Sequence, residues 1–253
     1  MSSPAAERFV VCLPTYNERE NLENMIEAIG VARERATIVG DVLVIDDGSP
    51  DGTGQIADTL AAKLPWVHVL HRTQKEGLGR AYLAGFRWAL ERDYAYILEM
   101  DCDFSHDPKD VPRLIAATET ADVVLGSRYV KGGGVADWGV VRRAISRGGC
   151  LYAQAWIGTS LKDLTGGFKC FRREVLEAIP LDDVSGAGYV FQVEMTYRAL
   201  LGGFRVVEVP ITFTDRTAGQ SKMSRGIVME AAVLVPILRR RLGSIRRRRA
   251  GTA

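Results

Sequence analysis

Short apolar runs alternate with stretches in which apolar residues recur every three or four positions through the first half of the chain. Phe9-Val10-Val11-Cys12-Leu13 predicts a strand over about 8–13, followed by a helix over about 18–35 whose Leu22, Met25, Ile26 and Ile29 share one face. Asn17 and Glu20 have the spacing of a capping box at its start. Further strands are predicted at Asp41–Ile45, Trp66–His71, Tyr94–Met100 and Asp122–Gly126, with helices at about 53–64, 79–91 and 108–119 between them. This alternation is βαβ logic and predicts an α/β fold with a mostly parallel sheet.

After Gly126 the rhythm breaks into the glycine-rich Lys131–Gly134, then a long helical pattern carrying Trp138, Val141, Ile145, Tyr152 and Trp156. Arg142, Arg143 and Arg147 interleave with these residues, so the helix either packs into the core with a solvated basic face or lies against lipid. Beyond it come a strand at Phe168–Phe171, a helix at about 189–201, a strand at Arg205–Val209 with Ile211–Thr214, and a terminal helix from about 225. With no internal repeat or long linker, this predicts one compact domain over 1–226 and a C-terminal amphipathic helix and basic tail over 227–253.

Composition narrows the class. A chain of 253 residues with 47% apolar and 25% charged residues is neither disordered, collagenous nor a disulfide-stapled miniprotein. Cys12, Cys102, Cys150 and Cys170 are widely spaced without a CxxC pair, which points away from structural zinc and secreted disulfides and toward a reducing, cytoplasmic compartment. Met1–Arg8 shows no signal-peptide pattern. The longest apolar stretch, Ile227–Leu238, is interrupted by Glu230 and falls short of the roughly 20 residues that span a bilayer. The net charge of +2 conceals an asymmetry: seven arginines follow Leu238, leaving 26 basic against 31 acidic residues, a net of −5, before it. Such a tail suits an anionic membrane surface, with a merely solvated tail as the plain alternative. Nucleic acid is disfavoured by the acidic body and the lack of any nucleic-acid-binding motif.

In an open α/β sheet ligands bind beyond the carboxyl ends of the strands. Three such ends are rich in polar residues: Pro14-Thr15-Tyr16-Asn17-Glu18, the segment Asp46–Thr53, and Asp101-Cys102-Asp103-Phe104-Ser105. Asp101 and Asp103 form the only D-x-D in the chain, and two carboxylates so close repel unless a cation lies between them. Oxygen ligands favour Mg²⁺ or Mn²⁺ shared with a substrate diphosphate, with Ser105 able to complete the shell. No dinucleotide fingerprint or P-loop is present. Lys75-Glu76-Gly77-Leu78-Gly79 opens a helix and serves equally as an anion approach or a plain turn. Arg128, Arg216 and Lys222 supply the positive charge that a leaving diphosphate or incoming phosphate requires.

Taken together, PTYNE at 14–18, DDGSPDGT at 46–53, KEGLGRAY at 75–82, MDCDFSHDP at 100–108, LGSRYVKGG at 125–133, LTGGFKCFRR at 164–173, GYVFQVEM at 188–195 and FTDRTAGQSKM at 213–223 resemble the polyprenol- or dolichol-phosphate mannose synthases. These are inverting A-type glycosyltransferases, and the resemblance runs in order over about 9–226. It implies the Rossmann-like nucleotide-diphospho-sugar transferase fold (GT-A), and transfer of mannose from GDP-mannose to a polyprenyl phosphate. By the resemblance, Pro14, Tyr16, Glu18, Val44 and Asp46 match positions that hold the nucleoside, and Asp101 and Asp103 those that bind metal and diphosphate. Ser105 matches a further metal position, and Cys102 a position that contacts the donor through its backbone. Arg128, Arg216 and Lys222 match phosphate-binding cations, while Arg142 and Ser146 lie in the stretch that resembles the lipid-phosphate site. It also implies a peripheral place on the cytoplasmic face of the membrane, reached through the basic elements or an integral-membrane protein partner. Glucose transfer from UDP-glucose and a non-catalytic sugar-nucleotide-binding scaffold are the competing readings. The role of Glu194 is left open.

Overall fold

The computed structural model describes residues 7–136, 138–185, 188–215 and 233–243. The predicted alternation is present as β1 (Phe9–Thr15), α1 (Leu22–Arg35), β2 (Gly40–Asp46), α2 (Thr53–Lys63), β3 (Val67–His71), α3 (Leu78–Leu90), β4 (Tyr96–Glu99), α4 (Val111–Ala117) and β5 (Val123–Ser127). Then come β6 (Gly134–Val135), α5 (Val140–Ile157), β7 (Lys169–Arg172), α6 (Arg173–Ala178), α7 (Gly188–Leu201), β8 (Val206–Pro210) and β9 (Thr212–Phe213). β6 and α6 escape the sequence pattern because each is too short to show a period.

One boundary needs correcting. α1 starts at Leu22, not near residue 18, and no Asn17–Glu20 capping box forms. Asn17 adopts a left-handed φ of 59° and its N–H donates to Ser49 Oγ at 3.1 Å, so the chain turns there to meet the loop after β2. Asn21 then leads into the helix while its side-chain amide donates to Glu18 Oε2.

The main sheet has the order β3-β2-β1-β4-β7-β5-β8. Every pair is parallel except those of β7, which runs antiparallel to both β4 and β5. Strand side chains alternate between faces, so β1 places Val10 and Cys12 in one core layer and Phe9, Val11 and Leu13 in the other. The first layer packs against α3, α6 and α7; the second against α1, α2 and α4. All four cysteines are buried free thiols. A separate two-stranded parallel ribbon, β6 with β9, lies outside the main sheet.

The helix at 233–243 joins the α7-side layer through Val235, Leu238 and Leu242, leaving Val233 and Ile237 exposed. Its Arg241 donates to Ser185 Oγ at 2.7 Å. The remainder of the 227–253 segment lies outside the described residues. Among those residues no helix is long and apolar enough to cross a membrane.

The loop after β5 doubles back so tightly that a Cβ on Gly133 would stand 2.4 Å from the backbone oxygen of Ser127. Neither atom can yield without moving the backbone. Gly133→Ala is therefore expected to destabilise the fold by about 1–3 kcal/mol, read as a lowered urea midpoint at unchanged slope.

Candidate active site

The carboxyl ends of β1, β2 and β4 open on a cleft of about 350 Å³. Pro14, Tyr16 and Glu18 line one end, and the Lys75 ammonium lies 3.7 Å from the centre of the Tyr16 ring. Asp47 also faces this end and is paired with Arg72 at 2.6 Å. Burial pushes the Asp47 carboxyl up and Arg72 offsets part of that. Val44 and Asp46 are placed differently. Val44 is wholly buried in the core. The Asp46 carboxylate turns back to accept from Thr15 Oγ1 at 3.2 Å and the Ser49 N–H at 3.1 Å, shaping the loop that Asn17 touches.

Asp101, Cys102 and Asp103 line the middle of the cleft. Phe104 takes a left-handed φ of 60°, a conformation uncommon for an aromatic residue, and this turn lets the Ser105 N–H donate to Asp103 Oδ1 at 3.1 Å. The Ser105 hydroxyl is buried without a hydrogen-bond partner. Burial, with the carboxylates of Glu18, Asp103 and Asp101, raises the Cys102 thiol well above its ordinary range, so it stays protonated. Two carboxylates in the cleft, with an orphaned hydroxyl on the same turn, are oxygen donors of the kind that a hard cation shares with a diphosphate and water. Among the described residues no group of three or more His, Cys, Asp and Glu side chains gathers into a complete cage.

Behind Asp101 lies buried His106, whose Nδ1 accepts the Asp101 backbone N–H at 3.2 Å. Its ring stacks on Phe168 at 5.0 Å and meets the edge of Phe213 at 5.4 Å. Burial lowers its pKa to about 4, so the ring is neutral and able to accept. On the sheet side, burial pushes the Glu99 carboxyl up to about 7, with Lys169 and the Gln192 amide offsetting part of the effect. Burial likewise brings the Lys169 ammonium down to about 8, against the pull of Glu99.

Arg128, at the end of β5, is not an open cation. Its Nε and Nη2 donate to the two oxygens of Asp163, each at 2.7 Å, and its own N–H to Asp163 Oδ2 at 2.9 Å. Burial alone would raise the Asp163 carboxyl, but the guanidinium holds it below its ordinary value. Nη2 also reaches Thr165 Oγ1 at 2.9 Å, and Thr165 lines the cleft. On α5, Arg142 donates through Nη1 to both oxygens of Asp215 at 2.8 Å and stacks over Trp138 at 4.2 Å. The Ser146 hydroxyl, one turn further, accepts from Tyr129 Oη at 2.7 Å. The Thr214 N–H donates to the Ser105 carbonyl at 3.2 Å, which brings Asp215 and its partner Arg142 up to the Asp101–Ser105 turn. Arg216 and Lys222 lie outside the described residues. Glu194 is fully buried, bonded to Arg198 at 2.7 Å and to the Ser185 N–H at 3.2 Å, an anchoring role within α7 and the turn before it.

Asp163, His106 and Asp47 are neighbours of the site that no spacing rule singles out, although each sits within or beside a motif. Asp163→Ala is expected to cost about 3–5 kcal/mol in urea unfolding, because it strands a buried guanidinium, with Asp163→Asn costing less. His106 has a lowered folded-state pKa, so the folded protein binds fewer protons than the unfolded chain between about pH 4 and 6.5. Stability is then full above that window and falls as pH drops through it. His106→Asn should flatten the fall in urea midpoint; an unchanged pH slope would place its source elsewhere.

The chain matches the description "Glycosyl transferase family 2" over residues 10–180. It is 52% identical to an undecaprenyl-phosphate mannosyltransferase from Micrococcus luteus, over 90% of this chain and 92% of that protein. It is 49% identical to a polyprenol monophosphomannose synthase from Mycolicibacterium smegmatis, over 89% and 84%. Among solved structures, glucosyl-3-phosphoglycerate synthase from Mycobacterium tuberculosis, in complex with Mn²⁺, UDP-glucose and phosphoglyceric acid, superposes with a TM-score of 0.64. That alignment covers 91% of this chain and 80% of the synthase at 18% identity, a likeness of fold. The sheet order, the carboxylates beyond β4 and these two relatives agree: the chain belongs to glycosyl transferase family 2 and, within it, to the polyprenyl-phosphate mannosyltransferases.

Proposed function

We propose that the protein transfers a mannosyl group from GDP-mannose to a polyprenyl phosphate with inversion, releasing GDP. The observation that carries this reading is the pair Asp101 and Asp103 in a cleft whose next end bears Tyr16 and Glu18, with the buried, orphaned Ser105 hydroxyl on the same turn. Both mannosyltransferase relatives support the acceptor and the sugar.

A phosphate monoester oxygen of the acceptor is already anionic at neutral pH, so the step needs no general base. That oxygen bonds to the anomeric carbon while the bond from this carbon to the diphosphate breaks, and its electron pair leaves with GDP. Asp101, Asp103 and Ser105 would hold Mg²⁺ or Mn²⁺, which would supply charge neutralisation for the diphosphate. Pro14, Tyr16 and Glu18 hold the nucleoside end. Arg142 and Ser146 align the acceptor phosphate, and Arg142 then exchanges the Asp215 carboxylate for it. Arg216 and Lys222 add charge on the resemblance alone. Asp163 already engages Nε and Nη2 of Arg128, so Arg128 has Nη1 to offer a phosphate and otherwise orients Thr165.

The acceptor brings the enzyme to the membrane surface. α5 exposes Val140, Val141, Ile145 and Leu151 beside Arg143, and the helix at 233–243 exposes Val233 and Ile237. An apolar and basic face of this kind settles into an anionic interface. We read the protein as peripheral, on the cytoplasmic face, with a membrane protein partner as the alternative anchor.

Purified protein given Mg²⁺ or Mn²⁺, polyprenyl phosphate and radiolabelled GDP-mannose should pass label into organic solvent, and EDTA should abolish the transfer. Asp103→Ala is expected to lose at least about 10²-fold in rate. Label only from UDP-glucose would overturn the donor, and near-normal turnover by Asp103→Ala the mechanism. In co-sedimentation with phosphatidylglycerol vesicles, Val141→Asp should bind several-fold more weakly; equal binding would move the anchor to another element.

A further inference from the structure

Beneath the paired carboxylates lies a polar cluster for which the transfer outlined above has no use. Glu99, the last residue of β4, and Lys169, the first of β7, are cross-strand partners, and both are wholly buried. Lys169 Nζ donates to the Gln192 carbonyl at 2.7 Å and to Thr196 Oγ1 at 3.1 Å, which pins the start of α7 to the sheet. The Gln192 side chain is only 2% exposed, yet it lines the cleft. Both polar atoms of its amide and both oxygens of Glu99 lack a hydrogen-bond partner. The amide lies close enough to Glu99 to draw its carboxyl down, but no hydrogen bond of ordinary length closes between them. Native interiors satisfy nearly all such groups, so unmet atoms gathered at a cleft floor imply a ligand or water that meets them.

The place is specific. A Cβ on Gly167 would stand 3.6 Å from Gln192 Nε2 and 3.8 Å from either Asp101 oxygen, so the bare glycine preserves the space where amide and carboxylate converge. A diphosphate held at Asp101 carries its sugar on the adjoining bond, in the cleft that Gln192 also lines.

We infer that Gln192 binds hydroxyls of the donor hexose, and that Glu99 and Lys169 are its positioning residues. The inference rests on the transfer reaction proposed above. An amide offers one donor group and one acceptor, the complement of two neighbouring hydroxyls, each of which can give and receive. With a sugar bound, the Glu99 carboxylate behind the amide would take one of the two Nε2 hydrogens, which sets which way the amide is turned; the second hydrogen and Oε1 then face the sugar. Lys169 holds the turn of α7 that delivers them. Because the amide is desolvated, a donor lacking the matching hydroxyl leaves it unpaired and is rejected strongly.

The test pairs variants with analogues. Wild type, Gln192→Leu and Glu99→Gln are assayed for kcat/KM with GDP-mannose and its 2-, 3-, 4- and 6-deoxy derivatives, and for GDP affinity by calorimetry. Gln192→Leu is expected to lose about 10- to 100-fold with GDP-mannose, while affinity for GDP, which has no hexose, stays within about twofold. One or two deoxy donors should be poor for wild type yet lose nothing further in Gln192→Leu, since the contact is already gone. Glu99→Gln should narrow the same deoxy discrimination at unchanged GDP affinity, a readout that a merely structural role would not move. A parallel loss of GDP affinity, or deoxy penalties of equal size in wild type and Gln192→Leu, would overturn the assignment. If wild type used no mannosyl donor at all, the transfer reading would fall and this assignment with it, an outcome visible before any variant is compared.

Discussion

An antiparallel strand inserted between parallel neighbours begins where they end, and the site depends on that reversal. β4 and β5 deliver Asp101 and Arg128 at their carboxyl ends, and β7, running the other way between them, starts at the same edge with Lys169. The segment leading into β7 is thereby brought across the cleft: Asp163 closes on Arg128, while Thr165 and Gly167 become cleft wall. A parallel strand in that position would have sent these residues to the opposite edge of the sheet.

Charge around the cleft is divided between two kinds of environment. Arg128 with Asp163, Arg72 with Asp47 and Arg198 with Glu194 are mutually satisfied at ordinary distances. Such pairs do little for net stability compared with apolar packing, but each is costly to break and so holds its loop in one arrangement. By contrast, Ser105 Oγ, the Glu99 oxygens and the Gln192 amide are buried and unmet; Glu99 and Ser105 flank Asp101 in the chain, and Gln192 faces it across Gly167. The paired groups hold the frame of the site, and the unpaired ones are where a ligand gains most by binding.

A run of ring and cation contacts joins the Asp101–Ser105 turn to α5. His106 meets Phe213, Phe213 meets Trp138, and Arg142 lies over Trp138. Phe213 belongs to the β6–β9 ribbon, and one residue beyond it the Thr214 N–H donates to the Ser105 carbonyl. The residues proposed for the acceptor phosphate are thus packed against the same turn that presents Asp103, without sharing a strand with it.

Local periodicity was enough to read β1 to β5 and their helices, since alternation and the 3.6-residue repeat depend only on which faces are buried. The same pattern put Tyr16, Glu18, Asp101 and Asp103 at strand ends, because a parallel α/β sheet has one ligand-binding edge. It could not distinguish Val44, whose side chain faces the core, from residues that reach the cleft, nor foresee that Asp46 would turn back into its own loop. The start of α1 was misplaced because Asn17 is drawn into a left-handed turn by a contact 32 residues away. Direction of β7, the pairing of Arg128 with Asp163, and the meeting of Glu99, Lys169 and Gln192 all join residues distant in the chain. Hydrophobic pattern carries no information about which polar groups will meet once the layers close; only the packed sheet, by bringing three separate elements to one edge, decides that.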